Sequence, residues 1–236
     1  PHLKPVFAKA ELWHDLASLT DPGGTVKAYA ALFSKNGGTF ERTGARRLTQ
    51  HDTGWSVETD SGSLQAKDVV VALGPWAMDL LEPLGYRLPF AVKRGYHMHF
   101  RPSGNAGLSR PIVDMGYGYA ASSMAMGLRV TTGIEFADRD APPTPVQLDR
   151  ILPHARELLP IEDALELTPW MGRRPSFPDS IPVIGPAPNH SGLWLDFGHA
   201  HLGLTLGPIS GRLIAEMITG EAPVVDPAAY SAARFK

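Results

Sequence analysis

Apolar positions near the start of the chain recur at helical spacing. Leu12, Trp13, Leu16 and Leu19 have spacings a helix can use. After the turn Asp21-Pro22-Gly23-Gly24, the residues Val26, Tyr29, Ala30 and Phe33 fall at i, i+3, i+4 and i+7. Thr25 is the expected cap of this second helix, and Asn36-Gly37-Gly38 its stop. The pattern then becomes that of short strands, expected over residues 39–43, 55–59 and 63–66, the last two joined by a turn at Asp60-Ser61-Gly62. Residues 69–73 form a continuous apolar run that ends in Gly74-Pro75-Trp76, the pattern of a fully buried strand in a parallel sheet.

From Pro89 to about Thr168 the grammar changes. Residues 92–100, 117–122 and 127–134 read as strands separated by glycine-rich turns. Pro142-Pro143-Thr144-Pro145 then introduces a helix carrying Val146, Leu148, Ile151 and Leu152. Strands followed by a helix predict an antiparallel sheet with a helix packed on it. The last part returns to strand–turn–helix: residues 193–197 run into Gly198, and Leu206, Ile209, Leu213 and Met217 form a stripe that stops at Gly220. Pro208 is tolerated in the first turn. The expected fold class is α/β plus α+β. One domain is discontinuous, over residues 20–84 and 178–236, and an antiparallel-sheet domain over 85–177 is inserted into it.

Composition narrows the function classes. The chain has 236 residues, 43% of them hydrophobic and 19% charged, with a formal net charge of −2. That is enough chain to bury a core, and the balance offers no long-range attraction for nucleic acid or an anionic membrane. There are no cysteines, which removes disulfides, thiol catalysis and thiolate metal sites and fits a reducing compartment. No apolar run approaches the ~18 residues of a membrane span, and no basic-then-apolar leader opens the chain. The first residue is Pro1, so a processed or truncated product is expected. No G-x-G-x-x-G occurs, and with it the pyrophosphate grip of a dinucleotide-binding βαβ unit is missing.

Three constellations carry candidate chemistry. In Trp170-Met171-Gly172-Arg173-Arg174-Pro175, followed by Pro178-Asp179-Ser180-Ile181-Pro182-Val183-Ile184-Gly185, a guanidinium is held in a Gly/Pro frame. Such a group is a fixed two-pronged donor suited to a carboxylate, although an Arg-Arg pair on a surface loop is the commoner arrangement. The stretch Gly198-His199-Ala200-His201-Leu202-Gly203-Leu204-Thr205 brings a strand into a helix N-terminus, where glycines let the backbone approach a planar ligand; a plain packing turn is the alternative. Two His-x-His pairs, His97/His99 and His199/His201, could each chelate a metal from one face of a strand. No metal site is assigned to them.

The arginine segment, the Gly198–Thr205 stretch and the run Val69-Val70-Val71-Ala72-Leu73-Gly74-Pro75-Trp76 together resemble the FAD-dependent D-amino-acid oxidase and dehydrogenase superfamily, which includes glycine oxidase and the sarcosine oxidases. The resemblance covers the part after the first nucleotide-binding elements. It implies part of a Rossmann-like FAD-binding domain with an inserted substrate domain, and oxidation of an amine or D-amino acid by hydride transfer to flavin. It also implies Arg174 as the carboxylate anchor, with Tyr117 or Tyr119 assisting, and Ala72, Gly74, Trp76, Gly203, Leu204 and Thr205 against the flavin. His97-Met98-His99 follows Arg94-Gly95-Tyr96, similar to a strand of the family's dehydrogenases. The cofactor is FAD in the complete protein, and its binding by this chain alone is not expected. The partner is a small carboxylate-bearing amine or amino acid, and oligomerisation stays open. A cytoplasmic location is expected, at most peripheral to the inner face of a membrane. The alternatives are a non-catalytic remnant of such an enzyme and a His-based metallohydrolase.

Overall fold

A computed structural model describes residues 11–12, 17–104 and 107–235. Trp13 and Leu16 of the first expected helix lie outside the described residues, and Leu12 and Leu19 carry no regular structure. In chain order the elements are α1 (Pro22–Lys35), β1 (Ala45–His51), β2 (Gly54–Thr59), β3 (Gly62–Ala66), β4 (Val69–Val71) and α2 (Ala77–Leu81). Next come β5 (Ala91–Pro102), β6 (Ile112–Asp114), β7 (Tyr119–Met124), β8 (Gly127–Thr131), β9 (Glu135–Phe136) and α3 (Val146–Leu158). The chain ends with β10 (Ile161–Ala164), β11 (Trp170–Ser176), β12 (Val183–Pro186), β13 (Leu193–Phe197) and α4 (Gly203–Thr219). No described helix is long and apolar enough to cross a membrane.

The chain forms two compact units. One holds the described residues up to Thr39 together with Arg94–Gly172; the other holds Phe40–Lys93 and the residues from Arg173 onward. In the first unit the sheet order is β10-β5-β8-β7-β6, and β9 and β11 also pair with β5. The pairings β10–β5, β5–β8, β8–β7 and β7–β6 are antiparallel. Strand alternation sends Met98, Phe100, Leu128, Val130, Tyr119 and Ala121 to one face, where they form a single core with Leu148, Ile151, Ala155 and Leu158 of α3. His97, His99, Arg129 and Thr131 consequently belong to the other face.

In the second unit β1, β2 and β3 form an antiparallel meander, and a second sheet has the order β12-β13-β4. β13 and β4 are parallel, with Leu193, Trp194 and Leu195 opposite Val69, Val70 and Val71. The two strands that the sequence assigns to one discontinuous sheet are therefore neighbours. Trp55, Val71, Leu80, Leu81, Phe177, Val183, Leu193, Leu195 and Phe197 fill the core. Ile184, Leu213 and Ile214 hold α4 on the sheet.

Several local expectations are corrected. Residues 39–43 are not a strand. The strand is β1, in which only Leu48 is buried, and its polar residues serve as cross-strand partners: Arg46 pairs with Asp60 at 2.6 Å and Arg47 with Glu58 at 3.0 Å. Asp21, not Thr25, caps α1, its Oδ1 accepting from the Gly24 amide at 2.8 Å. The helical stripe of α1 does not face a core, since Val26, Tyr29 and Phe33 are exposed. β4 ends at Val71, and Val70 and Leu73 are exposed, because β4 has a hydrogen-bonded neighbour on one side only among the described residues. Pro208 falls beyond the first turn of α4, a helix that begins at Gly203.

The largest polar investment in the first unit is Arg94, which is fully buried. Its Nε donates to Glu135 at 2.7 Å, and its terminal nitrogens donate to the carbonyls of Asp138, Ala141 and Pro142. Tyr96 Oη donates to the same Glu135 oxygen and accepts from the Thr144 amide, and the Thr144 hydroxyl donates to the other oxygen. Burial alone would raise the Glu135 carboxyl, but the donors from Arg94, Thr144 and Tyr96 outweigh it and bring it down to about 2. A carboxylate depressed in the folded state adds stability above its unfolded pKa and loses it as the pH falls through about 2. Arg94→Met leaves Glu135 and three carbonyls without their donor and is expected to cost on the order of 3 kcal/mol at neutral pH. Chemical denaturation checks it, and a variant as stable as the parent would show the network to be dispensable.

Candidate active site

Backbone hydrogen bonds bring the arginine segment to the glycine loop within the second unit. The Ala200 amide donates to the Pro175 carbonyl at 2.7 Å, and Ser176 bridges His199 in antiparallel fashion. Two residues make the loop turn. Gly198 has φ 90°, and a Cβ there would come within 2.2 Å of the Phe177 ring, so only glycine fits. Ala200, with φ 52°, occupies the left-handed region at a cost that its backbone bond to Pro175 offsets. From Leu202 the chain enters α4 with no side-chain cap and no acidic residue in the first turn. The amide ends there are those a helix leaves unpaired, with the positive end of its dipole behind them.

The third side of this site is the turn after β4. Gly74 has φ 52°, and a Cβ added to it would lie 3.9 Å from Pro175 Cγ. Trp76 is half exposed, and the Arg173 guanidinium lies over its ring at 5.9 Å. Arg174 is half-buried in β11, and burial lowers its pKa. Ala72 and Leu73 are exposed beside this turn, as are Leu202, Gly203, Leu204 and Thr205 at the start of α4. The residues expected from sequence as carboxylate anchor and flavin contacts thus lie on segments that are tied together in one unit.

The tyrosines belong to the other unit, on the helix-covered side of its sheet. Tyr119 is buried in the core against α3, and burial, with Asp114 adding, pushes its hydroxyl up to about 12. Tyr117 lies in the turn before β7, stacked on His154 of α3 with ring centroids 3.5 Å apart. Of the histidine pairs, His97 and His99 meet edge to face at 5.1 Å, His199 is half-buried and His201 exposed. Among the described residues no group of three or more His, Cys, Asp or Glu side chains is placed to hold a metal ion.

Two groups beneath the loop escape sequence reasoning. His199 Nε2 lies 2.8 Å from Ser210 Oγ on α4 and 3.5 Å from Asp196 Oδ1 on β13. A Ser–His–Asp set of this kind is no hydrolytic relay, because both partners meet the same ring nitrogen, whereas a relay uses both. Asp196 Oδ1 is buried without a hydrogen-bond partner, and burial raises this carboxyl to about 6; burial also lowers the His199 imidazole. The only signal in the sequence was an acidic residue in an otherwise apolar strand, Leu193-Trp194-Leu195-Asp196-Phe197.

The sign of the Asp196 effect follows from linkage. With its folded pKa above the unfolded value, Asp196 contributes stability that is present below about pH 4 and lost as the pH rises through about 6. Asp196→Asn removes that loss, so it is expected to stabilise the chain by about 2 kcal/mol at pH 8 and to change little at pH 4. Thermal unfolding at the two pH values checks this; an equal shift at both would assign the effect to packing instead of ionisation.

Comparison with known proteins identifies the family. Residues 1–217 match the DAO family, described as FAD dependent oxidoreductase. The chain is 34% identical over 236 residues to glycine oxidase of Pseudomonas putida, covering 98% of this chain and 64% of the relative. It is 33% identical over 190 residues to a D-amino acid dehydrogenase of Paramagnetospirillum magneticum, covering 80% of this chain and 45% of that one. The crystal structure of glycine oxidase from Geobacillus kaustophilus superposes with a TM-score of 0.76 at 25% identity, over 88% of this chain and 56% of the other. The L-proline dehydrogenase of P. horikoshii shares the fold, with a TM-score of 0.77 at 21% identity, over 91% of this chain and 60% of the other. The chain therefore spans less than two thirds of the length of these relatives, and the match over residues 1–217 places it in the family of FAD-dependent oxidoreductases.

Proposed function

We propose that this chain is the larger part of an FAD-dependent enzyme that oxidises an amine or D-amino acid, and that the dinucleotide-binding segment of the enzyme lies outside these residues. The observation that carries the reading is the bond from the Ala200 amide to the Pro175 carbonyl, which ties the segment of Arg174 to the loop that opens α4. In this reading residues 20–84 and 178–236 belong to the FAD-binding domain and 85–177 to the substrate domain, although by compactness α1 falls in the first unit and residues 173–177 in the second.

The residues present fit the ring end of the cofactor. The turn at Gly74 and the start of α4 expose Leu73, Trp76, Leu202 and Leu204, apolar side chains that a planar ring would cover. Side chains added at Gly207 and Gly211 would meet open space, and nothing acidic stands in the first turn of α4 to repel electron density arriving there. The pyrophosphate end has no counterpart, because no G-x-G-x-x-G is present. When bound, the flavin supplies the hydride acceptor. This chain's own work is to bind and orient: Arg174 grips a substrate carboxylate in two-pronged fashion, and the uncapped α4 amides favour negative charge beside them. The tyrosine assignments, Tyr117 and Tyr119, stay with the substrate domain as secondary candidates.

In the complete, flavin-loaded enzyme, Arg174→Lys is expected to lower kcat/KM for a carboxylate-bearing substrate by about 2–3 kcal/mol, mostly through KM, and to change an uncharged amine little. Equal losses on both substrates would remove the carboxylate role. The 236-residue chain by itself is expected to retain little FAD in equilibrium dialysis, since the pyrophosphate anchor is missing. Tight, stoichiometric retention would show that the ring contacts suffice.

A further inference from the structure

The outward face of the seven-stranded sheet holds a guanidinium that the assigned functions leave unused. Arg129, on β8, is half-buried, and its Nε donates to His99 Nε2 at 3.0 Å. Accepting there obliges His99 to carry its proton on Nδ1, which faces a Glu166 carboxylate oxygen; the other Glu166 oxygen accepts from the His99 amide at 2.8 Å. Burial alone would raise Glu166, but the His99 amide and ring outweigh it and keep the carboxyl ionised and the histidine in place. Arg129 is thus aimed by a chain of two buried or half-buried groups, while its two terminal nitrogens have no hydrogen-bond partner among the described residues.

An oriented fork of this kind suits one ligand chemistry. Nη1 and Nη2 form the end of the guanidinium that meets the two oxygens of a carboxylate. Strand alternation also puts Arg101, two residues beyond His99 on β5, on this face. Ser122 stands opposite Arg129 on β7, and Thr131 follows two residues on. His97 is pushed down to about 4 by burial, with Arg129 and His99 adding, so it is uncharged at neutral pH. Its ring stacks on the half-exposed Trp170 at 4.7 Å, an apolar shelf on the same sheet. Partial burial lowers the Arg129 pKa, a sign of lost hydration that a bound carboxylate would replace.

We propose that Arg129 is a carboxylate-recognition residue of this unit, positioned by His99 and Glu166, and that it selects substrates bearing an acidic side chain. The selectivity rests on the oxidoreductase reading above, whereas the carboxylate site itself does not. Titrating the 236-residue chain with glutarate, followed by the Arg129 Nε–H and His99 ring NMR signals, should give saturable shifts that glutaramide does not produce. Arg129→Lys should weaken glutarate at least tenfold. Glu166→Gln, which never touches the ligand, should weaken it several-fold and alter the His99 tautomer signals. In the flavin-loaded complete enzyme, Arg129→Gln should reduce the preference for D-glutamate over D-glutamine about tenfold.

Glutarate shifts that stay absent in the parent chain, or that match those of glutaramide, would overturn the proposal without need of a folded variant. An enzyme that oxidises neutral amino acids with the same acid-to-amide preference before and after Arg129→Gln would overturn the selectivity. An enzyme that oxidises no amino acid, combined with glutarate binding lost in Arg129→Lys, would sink the oxidoreductase reading and leave the carboxylate site standing.

Discussion

The short backbone tie between the Pro175 carbonyl and the Ala200 amide is the constraint on which the candidate site rests. It joins the end of β11 to the loop after β13, two segments that neither sheet of the second unit would otherwise bring side by side. Gly198 and Ala200 adopt positive φ angles to make it, and the Phe177 ring fills the space that a larger residue at 198 would need. Once the tie is made, Arg174, the turn at Gly74 and the first turn of α4 are no longer independent. A short backbone bond of this kind fixes the arginine segment against the loop that opens α4, which is the pre-set geometry that orientation-dependent chemistry requires.

A second constraint works in the first unit by different means. There, buried ionic networks hold parts of the sheet and its connections: Arg94 with Glu135, and His99 between Glu166 and Arg129. Both place a charge where water is scarce and answer it with several directed donors, so the cost of burial is met by geometry. The first secures the segment between β9 and α3. The second leaves its terminal donors outward, and the two networks on one sheet thereby differ in what they can offer a ligand.

Much of this was legible in the chain itself, and the reasons are specific. The apolar run over residues 69–73 and the strand Leu193–Phe197 pointed to one shared sheet, because each leads into a glycine where an open sheet turns. The helix at Val146–Leu158 showed in its spacing and in the prolines before it. β1 did not show, since an exposed two-sided strand held by Arg–Asp and Arg–Glu pairs has no apolar alternation to read. The Asp196–His199–Ser210 cluster and the His99–Glu166–Arg129 relay were hidden for another reason. Their members lie far apart in sequence or read one by one as ordinary polar residues, and only the fold brings them into contact. The motif-bearing loops were visible because glycine and proline act locally; the polar networks depend on tertiary placement.

The single-sided pairing of β4 has a practical consequence for handling the chain. Among the described residues its second edge is unpaired and presents main-chain donors and acceptors beside exposed Val70 and Leu73, with no charge, proline or bulge on β4 to discourage another strand from adding there. Produced on its own, the chain would be prone to stick to copies of itself along that edge. A lysine at position 70 would act as a gatekeeper against such association while leaving Val71, the residue that anchors β4 in the core, untouched.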